Sequence, residues 1–432
     1  MKAIPFKLES ESAHGALKKR VQSRLMQSLD LAQAQRLPET QLRAECFREA
    51  DRLIGAEQAP LTNSEKRLLV QEVLDDIFGL GPIEPLLRDL EISDILINGP
   101  NSVYVERQGR LERVAVSFRD DHHLINIITR IANKVGRRID ESTPMLDARL
   151  QDGSRVNAII PPLALNGACL SIRRFVGTDI GIDDLIKFES MDARMGELLQ
   201  AAVRAKLNVV ISGGAGSGKT TLLNALSGHI PEGERIVTIE DTAELRIQRD
   251  HVVCLETRPP NIEGQGAVAQ RDLLKNCLRM RPDRIIIGEV RGDEALDMLQ
   301  AMNTGHEGSM TTIHANTVQD ATGRLLNMVK LSGIEYPTQV IREQIASTLD
   351  VIVQLSRTTG GKRKIMSISE VDGMDGSRVR VRDIFAFRQR GIDDRGNAHG
   401  SFAATGRKPA FYLKMETEGV APSPTLFEPD RQ

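Results

Sequence analysis

The sequence predicts an α/β fold in two folded parts: a mainly parallel α/β domain over residues 190–390, and a smaller α+β domain over 61–180. A helical extension (1–60) precedes them and a tail (391–432) follows. Three observations carry this reading. Short apolar runs alternate with helical stretches after residue 190. Strand-and-turn patterns cluster between 92 and 175. A glycine-rich loop joins the first apolar run of the larger part to a helix.

Residues 1–60 are rich in Gln, Ala, Glu and Arg at helical spacing. They read either as a mobile extension or as solvated helix lying on the next domain. Thr62-Asn63-Ser64-Glu65 has the pattern of a capping box, and it opens a helix whose apolar positions are Leu68, Leu69, Val73, Ile77 and Phe78. Gly79 stops it, with Gly81-Pro82 just beyond. Asp94–Asn98, Val103–Val105 and Leu111–Val114, separated by turns at Gly99-Pro100 and Gln108-Gly109, form an antiparallel meander. Residues 122–136 are helical, with Leu124, Ile127, Ile128, Ile131 and Val135 on one face. Strands return over 153–175, broken by Pro161-Pro162.

In the larger part the strands are Val209–Ser212, Ile236–Ile239, Val252–Leu255, Arg284–Ile287 and Met310–Ile313. They are apolar at nearly every position, as strands buried on both faces of a parallel sheet must be. Gly360-Gly361-Lys362-Arg363-Lys364 turns the chain into a hairpin-like segment. The tail from 391, rich in Gly, Arg and Pro, reads as partly disordered.

Composition narrows the function. The 432 residues carry 57 Lys+Arg against 59 Asp+Glu, a net charge of −2, which argues against a general nucleic-acid coat. Aromatics are 3% with no Trp, so a base-stacking groove would have few platforms. Cys46, Cys169, Cys254 and Cys277 are far apart and form no CxxC, which suits unpaired thiols and gives no zinc site. The amino terminus lacks the apolar run of a signal peptide, and no apolar run approaches the roughly 20 residues that span a bilayer. Membrane attachment is therefore expected to go through partner proteins.

The strongest chemical signal is Gly213-Gly214-Ala215-Gly216-Ser217-Gly218-Lys219-Thr220, followed by Thr221 in the new helix. It has the Gly-x-x-x-x-Gly-Lys-Thr spacing of a phosphate-binding loop, between a strand and a helix as that motif requires. The glycines let backbone N–H groups turn inward around phosphate oxygens at the positive end of a helix. Lys219 would reach β- and γ-phosphates, and the Thr220 hydroxyl would be offered to Mg²⁺.

Three further strand ends accompany it. Arg284–Ile287 runs into Gly288-Glu289, where Glu289 is the acid placed to polarise an attacking water or hold a metal-bound one. An ordinary acidic strand of this type carries Asp where Gly288 stands. Thr238-Ile239-Glu240-Asp241-Thr242-Ala243-Glu244 offers Glu240 and Glu244 for the same work. His306 and His314 flank the strand Met310–Ile313 and are candidates for γ-phosphate sensing. Outside the α/β part lie Arg137, Arg138, Arg149, Arg155, Arg173 and Arg174, whose guanidinium forks suit phosphate.

In chain order, Gly213–Thr220, Thr238–Glu244, Arg279–Gly292 and Thr304–Asn316 resemble the Walker A, Asp box, atypical Walker B and His box of the type II/type IV secretion ATPase superfamily. The Walker B segment is Arg279–Gly292. Within the superfamily the likeness is to the CpaF branch, the motor of Flp (tight adherence) pilus assembly. Asp147–Asn157, Ser171–Phe175 and Arg258–Gly264 carry that likeness, which spans roughly 61–390. The tetracysteine motif of some type II secretion ATPases is missing. The resemblance implies a RecA-like ATPase domain hinged to the amino-terminal domain, in a homohexamer. It implies ATP bound with Mg²⁺ between the domains, and Arg149 and Arg155 as arginine fingers. It also implies a cytoplasmic protein associated peripherally with inner-membrane pilus or secretion platform proteins, with no stable nucleic-acid partner. The alternative on the same ATPase core is a nucleic-acid translocase or helicase.

Overall fold

The computed structural model describes residues 11–28, 38–57, 59–107, 109–150, 152–174, 180–258, 260, 265–393 and 396–429. Several sequence readings lie outside these residues: parts of the extension (1–10 and 29–37), Phe175, Pro259, residues 261–264 and the last three residues. The chain divides into two compact units, Met1–Val176 and Gly177–Gln432.

The first unit opens with three helices, α1 (Glu11–Ser28), α2 (Glu39–Ala56) and α3 (Asn63–Phe78). Val21, Leu25, Ala50, Ile54, Leu69 and Val73 pack into one apolar cluster between them. The described part of residues 1–60 thus shares its apolar residues with α3. Thr62 and Glu65 cap α3 reciprocally, the Thr62 hydroxyl accepting from the Glu65 amide and the Glu65 carboxylate from the Thr62 amide. Gly79 ends α3 without a left-handed φ. A Cβ there would lie 2.5 Å from Glu84 Oε1, because Glu84 reaches back to accept the Leu80 N–H.

After the short α4 (Glu84–Arg88) come β1 (Ile92–Asn98), β2 (Val103–Arg107), β3 (Arg110–Arg113), α5 (Asp121–Lys134), β4 (Met145–Arg149), β5 (Arg155–Ile159) and β6 (Cys169–Arg173). The strands form an antiparallel sheet in the order β3-β2-β1-β6-β5-β4. Ile95, Ile97, Val156 and Ile172 of its inner face meet Leu124, Ile127, Ile128 and Ile131 of α5.

The second unit runs α6 (Ile182–Lys187), α7 (Ala193–Arg204), β7 (Val209–Gly213), α8 (Lys219–Ser227), β8 (Ile236–Glu240), β9 (Val252–Glu256), α9 (Gln270–Cys277), β10 (Arg284–Ile287), α10 (Glu294–Asn303), β11 (Met310–Ile313), α11 (Val318–Leu331) and α12 (Thr338–Thr348). It then continues through β12 (Val351–Arg357), β13 (Arg363–Asp375), β14 (Arg378–Ile392), β15 (Ala398–Ala404) and α13 (Tyr412–Thr417). One mixed sheet has the order β15-β14-β13-β12-β7-β11-β10-β8-β9. From β12 to β9 every pair is parallel, and from β12 to β15 every pair is antiparallel. The hairpin-like segment therefore extends the parallel sheet, and β7 lies inside it, between β12 and β11. Helices cover both faces: Val209 and Ile211 face a core with α7 and α8, while Val210 faces one with α10, α11 and α12. β9 is the exception to full burial, because it is the edge strand.

Two buried polar groups pin the amino-terminal ends of these strands. Arg284, wholly buried at the start of β10, pairs with Glu234 at 2.5 Å and donates to the Gly308 and Val203 carbonyls. Gly308 has φ +78°, and a Cβ there would meet the guanidinium at 2.0 Å. Asn208 donates to the Thr348 and Met302 carbonyls and accepts from the Gly308 and Ser309 amides.

The tail departs from the expectation of disorder. Ala398–Ala404 pairs with β14, and Tyr412, Met415, Leu426 and Phe427 enter the α7–α8 core. The Tyr412 hydroxyl donates to the Pro422 carbonyl, and Lys414 reaches Glu307 and the Lys206 carbonyl. A composition averaged over the tail hides these few apolar anchors, and burying aromatic area outweighs the local Gly and Pro content. All four cysteines are free, and among the described residues no helix is long and apolar enough to cross a membrane.

Asn208→Ala should strand two carbonyls and two amides in the interior. At about 1–3 kcal/mol for an unsatisfied buried group, urea unfolding should show a loss on the order of 3 kcal/mol.

Candidate functional site

The carboxyl ends of β7, β8, β10 and β11 finish almost level. Ser212 pairs with Ile313, and Ile287 pairs with Thr311 and with Ile239. The next residue on each strand is Gly213, His314, Gly288 or Glu240, so four separate motifs meet along one sheet edge. In an open α/β sheet this edge is where ligands bind.

The glycine-rich loop leaves β7 at Gly213. A Cβ on Gly213 would lie 2.5 Å from Ser217 Oγ and 2.8 Å from the Leu355 carbonyl, so only glycine lets the loop fold back on itself. Gly216 and Gly218 have φ of +66° and +96°, and Gly214 and Gly216 have open space where a side chain would be. Ser217 Oγ closes the loop by donating to the Gly214 carbonyl at 2.9 Å. The amides at the start of α8, with no side chain above Gly214 or Gly216, form a cradle that fits a polyphosphate. Among the described residues no cluster of three His, Cys, Asp or Glu could cage a metal. A Mg²⁺ ion shared between the Thr220 hydroxyl and phosphate oxygens needs no such cage.

Lys219 is buried and its Nζ has three acceptors: the Gly213 carbonyl at 3.1 Å, the Gly214 carbonyl at 3.0 Å and His314 Nδ1 at 3.2 Å. An ammonium can only donate, so Nδ1 presents its lone pair and the imidazole proton sits on Nε2. That nitrogen is 2.9 Å from Glu289 Oε1. The other carboxylate oxygen, Oε2, accepts from Arg291 Nη2 at 2.6 Å, and Arg291 Nη1 is 3.5 Å from Asp241. A continuous polar chain thus runs Lys219–His314–Glu289–Arg291–Asp241. Desolvation and the Lys219 charge hold the His314 pKa below the usual imidazole value, against the opposite pull of Glu289. Its hydrogen bond to Glu289 is the main reason that the Arg291 pKa is raised.

Glu240 has a different environment. It is buried, and its Oε1 accepts the Glu244 and Leu245 amides at 2.8 and 3.1 Å, holding the turn after β8. Its Cγ would be 2.9 Å from a Cβ on Gly288. This explains why glycine stands where an Asp is usual: the Glu240 side chain fills that volume. Glu244 enters the turn through its amide.

His306 is not brought to the loop. The Ser309 carbonyl accepts from Val209 at the start of β7, so residues before 309 lie at the amino-terminal end of the sheet. Four residues of β11 separate that end from His314, about 13 Å at the usual strand rise. The flanking positions look symmetrical in sequence, but a strand has two ends.

The arginines of the first unit sort by partner. Arg174 donates to the Asp89 and Ile92 carbonyls, and Arg138 pairs with Asp140. Arg137 is exposed. Arg149, Arg155 and Arg173 stand directly opposite one another across β4, β5 and β6, and Asp94 of β1 continues the row. Arg173 pairs with Asp94 at 3.6 Å, and Arg149 Nε donates to the Gly153 carbonyl at 3.3 Å.

Sequence reasoning assigned no role to Arg291 or Arg363. Arg363 Nε, at the start of β13, donates to the Gly216 carbonyl at 3.0 Å and so braces the loop apex from outside. Its neighbours Lys362 and Lys364 both turn to Glu189. The basic run beside Gly360-Gly361 was the available signal, but the sheet order that brings β13 near the loop was not legible.

The family described as Type II/IV secretion system protein matches residues 76–404, about three quarters of the chain. The chain belongs to this family. A putative conjugal transfer protein of Mycobacterium tuberculosis is 35% identical over 325 residues, covering 74% of this chain and 91% of that protein. The type IV secretion system protein VirB11 of Brucella suis is 33% identical over 305 residues, covering 64% and 84%. Among solved structures, the Brucella suis VirB11 ATPase in complex with sulphate is 30% identical, with a TM-score of 0.37, covering 70% of this chain and 98% of that one.

Gly288→Ala should cost about 1–3 kcal/mol by overpacking against Glu240. In a Glu240→Ala background the same change should cost little, so a double-mutant cycle by urea unfolding should report a coupling of that size.

Proposed function

We propose that this member of the secretion family is the ATPase motor of a Flp-type pilus or related secretion assembly, in the CpaF branch. The polar chain Lys219–His314–Glu289 carries the reading. It links the cation of the phosphate loop to a carboxylate at a neighbouring strand end, an arrangement suited to hydrolysing the γ-phosphate of ATP.

Each side chain has a part to play. Gly213 to Thr221 hold the polyphosphate, with Lys219 on its β- and γ-oxygens. Thr220 would hold Mg²⁺, which supplies charge neutralisation on the phosphate oxygens when bound. Glu289 orients or deprotonates the attacking water. His314, neutral, stands between the two, its Nδ1 accepting from Lys219 and its Nε2 2.9 Å from Glu289 Oε1. Glu240 shapes the floor by holding the turn after β8 and filling the space above Gly288. Arg149 and Arg155 act as arginine fingers toward the transferring phosphoryl group, where a guanidinium neutralises developing charge.

In this reading 61–180 and 190–390 are the two working domains of a cytoplasmic protomer. Six protomers form a ring, and inner-membrane platform proteins receive the motion. The named role of VirB11 in type IV secretion, the matched family and the segments 147–157 and 171–174 support it. The test is ATPase activity of the full chain alone, with DNA, and with the membrane platform protein. Stimulation by platform protein is expected, and stimulation by DNA alone would favour a translocase.

Glu289→Gln should keep ATP binding and lose hydrolysis by about 10²–10⁴-fold, the usual cost of removing a general base. Glu240→Gln should cost less, since one amide oxygen still accepts the two backbone amides. Single-turnover hydrolysis on both variants decides the division.

Arg149→Ala and Arg155→Ala should each lower kcat while leaving nucleotide affinity near wild type, as loss of a transition-state contact does.

The pH profile has a defined sign. With its pKa lowered, His314 is neutral at pH 7. As pH falls through that pKa, Nδ1 takes a proton and stops accepting from Lys219, so turnover should drop on the acid side, below the ordinary imidazole value. His314→Gln can accept and donate without titrating. Its kcat/KM, followed from about pH 5 to 8, should lose the acid limb.

A further inference from the structure

Two adjoining cavities, of about 200 and 420 Å³, lie along α11 and share Gln319 and Gly323. The larger is lined by His314 and Arg324 among others. The smaller is walled by Arg342 of α12 and Arg378 at the start of β14. Among the described residues none of these three arginines has an ion-pair partner, and Asp320 is the single carboxylate on the walls. Gly323 adds a second observation. It sits inside a helix, where glycine costs about 1 kcal/mol relative to alanine, yet a Cβ there would meet nothing within 4 Å. Among the described residues no packing calls for the glycine, and its lack of a side chain keeps the floor shared by both cavities open.

We propose that this groove is a docking site for an acidic peptide segment of a partner protein. Charge complementarity selects the occupant. The three guanidinium groups come from three elements and are divided between two cavities, so one small anion would satisfy one cavity. Carboxylates repeated along an extended backbone, about 6.6 Å apart on one side, can reach successive arginines, each able to take a carboxylate bidentately. His314 is among the residues lining the larger cavity, so a segment bound there lies near the residue between Lys219 and Glu289. The proposal does not rest on ATP hydrolysis, and its test needs no nucleotide.

The probe is fluorescein-labelled hexaglutamate, titrated with the full-length chain and followed by fluorescence anisotropy. Saturable binding is expected, and it should be retained in Lys219→Ala, which places it away from the phosphate loop. The pair Arg342→Glu with Arg378→Glu should weaken it at least tenfold. Gly323→Gln, which fills the floor while favouring the helix, should weaken it similarly and guards against a folding artefact. Unchanged binding in both variants would overturn the proposal. So would displacement of the peptide by equimolar inorganic phosphate, which would make this a small-anion site. Light scattering that shows the variants altering self-association without any peptide binding would instead make the groove an interface between copies, and would equally overturn it.

Discussion

Lys219 has three protons to place, and the fold supplies three acceptors: two carbonyls of its own loop and the Nδ1 of His314. The third acceptor sets the rest. Because the lysine can only donate, the imidazole must carry its proton on Nε2, and Nε2 faces Glu289. The carboxylate is then held from its other oxygen by Arg291. The imidazole tautomer follows from one ammonium group, and no member of this chain moves without disturbing its neighbours.

That chain exists only because β7, β10 and β11 end level. Register in a parallel sheet is set by buried side chains on both faces, and here it is reinforced at the opposite end by Arg284 and Asn208. These two side chains tie the segments leading into β7 and β11 and the start of β10 to common partners. The amino-terminal edge is therefore a clamp and the carboxyl-terminal edge a working surface. His306 belongs to the clamp side, where its carbonyl accepts from Ser309, and His314 belongs to the working side.

The exchange between Gly288 and Glu240 has the same logic. Two neighbouring strand ends share one volume, and a side chain on β8 occupies it at the expense of one on β10. The strand then presents its acid one residue later, at Glu289, where the carboxylate escapes the crowded floor and meets His314. What looks in sequence like a defective acidic strand is a repartition of space between two strands.

By itself the sequence determined the loop, the strands β7 to β11, the capped α3 and the family. Each depends on local spacing: glycines where backbone turns left-handed, apolar residues at every strand position, Thr62 three residues before Glu65. The sheet order was decided by tertiary structure, which put β12 beside β7 and so brought Arg363 of β13 to the loop apex. The same holds for the cross-strand row Arg149–Arg155–Arg173, visible only once β4, β5 and β6 are paired. It holds too for the tail, where a handful of aromatic and aliphatic anchors dock onto a core formed far away in sequence. Local spacing reports what a segment prefers, whereas the choice between two histidines, or between Gly288 and an aspartate, is made by which atoms share a volume. That sharing is fixed only when distant segments pack.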